Sequence, residues 1–166
     1  VVCVKQLLQN ALICNSSGVI IFHNHPSGNN LPSQADIKVS KEIKKACDDI
    51  NLLIANYSTG ADLIKGSDWN LQNETDRIKK EIDIAAVLGV TKMRHDASFG
   101  FGAEDPKARP LECYLDKLAK GCKILTEYAK SANIRTMVEN HGKYCQHSQD
   151  VLSIYKAVDD DNFGIL

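Results

Sequence analysis

RIKKEIDIAAVLGVTKMRHDASFG, residues 77–100, holds one complete unit of the fold. Ile78, Ile82, Ala85 and Ala86 recur at the spacing of an inward helix face, and Gly89 stops that helix. The spacing predicts a helix over Glu74–Leu88 and, one turn later, a short strand over Thr91–Arg94. The strand runs into the polar residues Arg94, His95 and Asp96, then into a glycine-bearing loop over Ser98–Lys107. Helix, turn, strand and polar strand end form the repeating unit of a parallel α/β sheet, whose carboxyl edge is where sites are built.

The same order recurs on both sides. Downstream, Pro110 sits at a helix start, and Leu111, Leu115, Leu118, Cys122, Leu125, Ala129 and Ala132 make a long apolar stripe. A strand over Arg135–Val138 ends in Glu139-Asn140-His141-Gly142. Ser148 caps a helix to about Val158, the run Asp159-Asp160-Asp161 is its solvated end, and Phe163–Leu166 begins another strand. Upstream, a helix covers Lys5–Cys14 and a buried strand Gly18–Phe22. A helix over Ser33–Ile50 puts Ile43, Cys47 and Ile50 on one face, and a strand over Leu52–Tyr57 enters the turn Ser58-Thr59-Gly60. The expectation is an α/β fold with a mainly parallel sheet, without internal repeat or linker.

Composition narrows the function. The 166 residues suffice for a real core, and 43% hydrophobic with 25% charged residues is ordinary for a globular chain. With 20 basic and 21 acidic residues there is no electrostatic footprint for nucleic acid. No apolar run approaches the ~20 residues of a membrane span, and no signal peptide is visible. The six cysteines (3, 14, 47, 113, 122 and 145) lack paired spacing and read as reduced, mostly buried thiols of a cytoplasmic protein. The start at Val1 and the end within a strand both read as cuts through a larger fold.

A second chemistry-bearing stretch is His23-Asn24-His25-Pro26-Ser27-Gly28, followed by Ser33 and Asp36. Two histidines two apart on a strand point the same way. With a carboxylate they make a three-ligand set that leaves zinc an open position for water. Ser33 and Asp36 equally fit a helix N-terminal box, with Ser33 as cap. The run VKQLLQNALICNSSGVIIFHNHPSGNNLPSQADIKVSKEIKKACDDINL resembles the RadC branch of the JAB/MPN (JAMM) metalloenzyme domain over about residues 1–53. That resemblance implies Zn2+ held by His23, His25 and Asp36, with Ser33 donating to a developing oxyanion. The family's upstream general-base glutamate has no counterpart, because no acidic residue precedes Asp36.

Arg94-His95-Asp96 and Glu139-Asn140-His141 each put a carboxylate and an imidazole at the end of a predicted strand. This suits a divalent metal or proton transfer, and a solvent-facing polar strand end is the other reading. IANYSTGADL, RIKKEIDIAAVLGVTKMRHDASFG, LTEYAKSANIRTMVENHG and VDDDNFGIL resemble the sugar phosphate isomerase/epimerase family, xylose isomerase-like TIM barrels, over about residues 54–166. The resemblance implies Glu139 as metal ligand (Mn2+, Mg2+ or Zn2+) and acid/base. It implies that His141 acts beside Glu139, that Arg94, His95, Asp96 and Asn140 line a pocket, and that the substrate is a sugar or sugar phosphate. A full barrel has eight strands, and here only part of one is spelled out.

The join falls near Leu53-Ile54-Ala55, with 1–53 on one side and 54–166 on the other. The chain reads as a hybrid of two truncated folds, in which the strand–helix unit of residues 18–53 stands in for the first unit of the barrel. Three functions follow: an isomerase or epimerase using Glu139, a zinc hydrolase using His23, His25 and Asp36, or a non-catalytic fragment with residual metal binding. Open sheet edges would favour self-association.

Overall fold

A computed structural model describes residues 3–16, 19, 21, 33–102 and 104–166. The chain divides into two compact units, Val1–Leu53 and Ile54–Leu166.

The first unit contributes helices α1 (Val4–Ile13) and α2 (Gln34–Asp49), which touch each other. Ser33 caps α2. Its Oγ accepts from the Asp36 N–H at 3.3 Å, and Asp36 Oδ2 accepts from the Ser33 N–H at 2.6 Å. The reciprocal pair satisfies two backbone donors at the helix start. Of the residues in these two helices only Cys47 is buried. Ile50, expected on the inner face, is 53% exposed. It lies one residue past the helix, where Asn51 takes a left-handed conformation and turns the chain away. The strand expected over Gly18–Phe22 falls largely outside the described residues.

The second unit is a parallel sheet with helices: β1 (Tyr57–Thr59), α3 (Leu71–Leu88), β2 (Lys92–His95), a 3-10 turn (Leu111–Tyr114), α4 (Leu115–Lys130), β3 (Arg135–Val138), α5 (Ser148–Val158) and β4 (Phe163–Ile165). The strands lie in the order β1-β2-β3-β4, all parallel. The first strand lies later than the sequence suggests. Leu52–Asn56 forms no ladder, and Ser58 and Thr59 belong to β1 rather than to a turn. An apolar run reads as strand, yet Leu53 is 83% exposed; pairing with β2, in the register Tyr57↔Met93 to Thr59↔His95, decides the strand instead.

Helix α3 starts three residues before the expected Glu74, because Asn70 Oδ1 accepts from the Asn73 N–H at 3.0 Å. Gly89, at φ 72°, ends it as expected. Its buried face is Ile78, Ile82, Ala85 and Leu88, whereas Ala86 is exposed. These residues join Met93, Leu118, Cys122, Leu125, Val138, Ile154 and Phe163 in one core. Inside it, the hydroxyls of Thr126 (α4) and Thr136 (β3) lie 2.7 Å apart. Thr126 also donates to the Cys122 carbonyl at 2.8 Å.

All six cysteines are unpaired, but only Cys47, Cys122 and Cys145 are buried; Cys3, Cys14 and Cys113 are exposed. The expectation of mostly buried thiols is corrected accordingly. Cys14 lies just past α1, and Cys113 sits on the outer side of the 3-10 turn. Among the described residues no helix is long and apolar enough to cross a membrane.

Candidate functional site

Side chains alternate across a strand. The contact of Thr136 with Thr126 turns Thr136 and Val138 of β3 toward the helices. Met137, and beyond it Glu139, therefore face the other side. Register pairs Arg94 with Met137, so Arg94 and Asp96 share that side with Glu139. The sequence thus delivers Arg94, Asp96, Glu139 and His141 to one patch at the carboxyl ends of β2 and β3.

The patch is tightly connected. Arg94 Nη2 donates to Asp96 Oδ1 at 2.5 Å and makes a short ion pair with Glu139 Oε1. The same atom lies 3.2 Å from His141 Nδ1, and His141 Nδ1 lies 2.8 Å from Asp96 Oδ1. Arg94 and Asp96 are buried, the Glu139 side chain is 33% exposed and that of His141 55% exposed. Buried charge lies below and reactive groups at the mouth. Ligand atoms of Asp96, Glu139 and His141 all lie within 4.8 Å of one another.

Two loops hold the mouth. The Lys143 N–H donates to the Phe99 carbonyl at 3.1 Å. Gly142, at φ 78°, brings its backbone so close to Ser98 that a Cβ would meet the Ser98 carbonyl at 2.8 Å. Phe99 thereby stands edge-on to the His141 ring, centroids 6.2 Å apart, with Gly60 beyond β1 beside it. Ser98 itself is anchored from below, its hydroxyl donating to Asp62 Oδ1 at 2.8 Å. Phe99 is the residue sequence reasoning missed. The available signal was a large aromatic between a serine and a glycine directly after a polar strand end.

His95 does not reach this patch. It occupies the opposite face of β2 and is fully buried. Its Nδ1 lies 2.9 Å from the Asp96 carbonyl, which only accepts, so Nδ1 carries the proton and Nε2 is bare. Burial pushes its pKa below the ordinary histidine value, with the Asp96 carbonyl and carboxylate opposing. Alternation within the strand removes His95 from the expected pocket. Asn140 is exposed at the same strand end as Glu139. Burial pushes the Cys145 thiol up to about 11, and that of Cys122 upward as well, so neither is a thiolate near neutral pH.

Ser33 and Asp36 meet in the capping box described above. His23 and His25 lie outside the described residues.

The sequence model of the xylose isomerase-like TIM barrel family matches residues 14–166. Among solved structures, the 3-keto-D-glucoside 4-epimerase YcjR of E. coli superposes with a TM-score of 0.64 at 16% identity, over 78% of this chain and 53% of that one. A sugar phosphate isomerase/epimerase from Parabacteroides distasonis superposes with a TM-score of 0.56 at 22% identity, over 76% of this chain and 46% of that one. At these identities the likeness is one of fold. A UPF0758 protein of Psychrobacter sp. (strain PRwf-1) is 45% identical over 56 residues, which cover 34% of this chain and 25% of that protein. The chain spans about a quarter of the length of the first curated relatives it matches.

Proposed function

The chain belongs to the xylose isomerase-like TIM barrel family, and from that premise we propose that it carries the metal-dependent site of a sugar or sugar phosphate isomerase or epimerase. The observation behind this reading is the convergence of Asp96, Glu139 and His141 at the ends of neighbouring parallel strands. Two carboxylates and an imidazole are a donor set that suits Mn2+, Mg2+ or Zn2+, so the residues present fit such an ion. When bound, a divalent ion polarises sugar carbonyl and hydroxyl oxygens and so acidifies the adjacent C–H.

The chain's own residues supply the proton handling. Glu139 would take a proton from the carbon beside the carbonyl through a carboxylate oxygen and return it. His141 would complete the donor set with its unprotonated ring nitrogen. Asp96, buried beneath it, fixes the ring orientation. Phe99 shields one side of the mouth from water, and Asn140 and Arg94 face the sugar oxygens. Deuterium incorporation next to the carbonyl, followed by NMR across a panel of ketoses, aldoses and their phosphates, tests this. Exchange that needs Mn2+ and disappears in Glu139→Gln is expected; a metal-loaded protein that exchanges nothing refutes it.

A second reading rests on the UPF0758 match. In it, residues 1–53 descend from a RadC-type zinc hydrolase domain with His23, His25 and Asp36 as ligands and Ser33 as oxyanion donor, joined near residue 54 to the partial barrel. Stoichiometric zinc lost in a His23→Ala, His25→Ala double variant supports it. Unpaired thiols favour a reducing, cytoplasmic setting. Strands β1 and β4 each pair on one side among the described residues, which favours self-association; a concentration-independent monomer in size exclusion argues against that.

A further inference from the structure

A single atom, Arg94 Nη2, touches each of the three groups that form the candidate metal set. It donates to Asp96 Oδ1 at 2.5 Å, pairs with Glu139 Oε1, and lies 3.2 Å from His141 Nδ1. These are the same carboxylates and imidazole whose ligand atoms cluster within 4.8 Å. The nitrogen therefore stands among them, where a divalent ion would have to stand.

We propose that Arg94 is a tethered cation that holds the place of the divalent ion, so that metal entry requires the guanidinium to leave. This rests on the metal-dependent reading above and deepens it. The electrostatic need is plain: Asp96 is buried, and a buried carboxylate without a counter-charge is strongly disfavoured. Arg94 supplies that charge when no metal is bound.

The grip is one-cornered. Arginine usually secures a structural carboxylate with two parallel N–H bonds. Here the hydrogen bonds and ion pairs of the guanidinium run through Nη2, and Nε is buried without a partner. A guanidinium anchored at one corner on a flexible stem swings free without disturbing β2, whose backbone is fixed by ladders on both sides. Metal binding is then an exchange of a singly charged cation for a doubly charged one, in which the two carboxylates are never left without a counter-charge. The exchange lowers the apparent metal affinity and leaves a free guanidinium near the substrate.

The test is calorimetric titration of Mn2+ into the full chain and into its Arg94→Gln, Arg94→Met, Arg94→Lys and Glu139→Gln variants, each first checked for folding by circular dichroism. Arg94→Gln and Arg94→Met are expected to bind Mn2+ about tenfold more tightly or better. Arg94→Lys, which keeps a cation on the tether, stays within about threefold of the parent. Glu139→Gln abolishes binding. Equal or weaker binding in both neutral variants, with Glu139→Gln still abolishing it, overturns the tethered cation while leaving the metal site intact. Absence of Mn2+ binding in every protein, neutral variants included, refutes the metal site and the tethered cation together.

Discussion

Residues 54–166 and residues 3–53 use similar residues to opposite ends. In the second unit, apolar positions of α3, α4, α5 and four strands meet in one core. In the first, Leu12 and Ile13 of α1, and Ile50 and Leu53 just beyond α2, are all more than half exposed. Among the described residues, none that belongs to this core precedes Ile54. Amphipathic periodicity says that a helix has an inner face; it does not say that anything is there to cover it. Among the described residues the sheet lies in the second unit, where parallel strands give several helices a shared surface.

Substitutions sharpen that contrast, and the largest effect is expected in the core, at the start of the edge strand β4. Phe163 is fully buried and stacks near Tyr155. Phe163→Ala is expected to cost about 3–5 kcal/mol, read as a drop in denaturation midpoint.

Next comes Glu74, which ties the start of α3 to the loop after β1. It accepts from Arg77, from the Ser67 hydroxyl and from the Asp62 N–H. Burial opposes its charge, but those donors prevail and hold its pKa below 4.5. A lowered carboxyl pKa gives stability that is full above the unfolded value and lost as pH falls below it. Glu74→Gln is expected to cost about 2 kcal/mol at neutral pH and to flatten the decline in stability below pH 4.5. An unchanged acid limb in thermal melts would break this assignment.

In the first unit the effects are smaller and local. Ser33→Ala removes the α2 cap and is expected to cost about 1 kcal/mol of helix stability. Hydrogen exchange should show it in the first turn of α2, with amides of α3 and α4 unmoved. Leu53→Ala, at a residue 83% exposed, is expected to shift stability by less than about 0.5 kcal/mol. A loss comparable to that of Phe163→Ala would mean that the first unit is also built around its apolar residues.

Much of this is legible in the sequence. Alternating helix and strand periods, Gly89 and the polar strand ends foretold the parallel sheet and the edge where Asp96, Glu139 and His141 meet. The strand pattern starts β1 too early because Leu52-Leu53-Ile54 signals hydrophobicity, whereas pairing with β2 selects Tyr57–Thr59. His95 reads as a pocket residue because residues adjacent in sequence look adjacent in space, although neighbours on a strand face opposite sides. Phe99 stayed hidden because its position depends on the Lys143 to Phe99 hydrogen bond between two loops. The reach of Arg94 into the cluster follows from register, which a single sequence does not spell out.

The paired threonines between α4 and β3 carry a direction as well as a contact. Each hydroxyl owns one proton. That of Thr126 is committed to the Cys122 carbonyl, so the 2.7 Å contact must be donated by Thr136. The sheet thus hands its proton to the helix, and the helix passes its own along its axis, a one-way relay. Losing the hydroxyl of Thr126 strands a buried donor on β3, while losing that of Thr136 strands none. Two substitutions identical in chemistry and volume are therefore inequivalent, and the folded sheet has a built-in polarity across its width as well as along its strands.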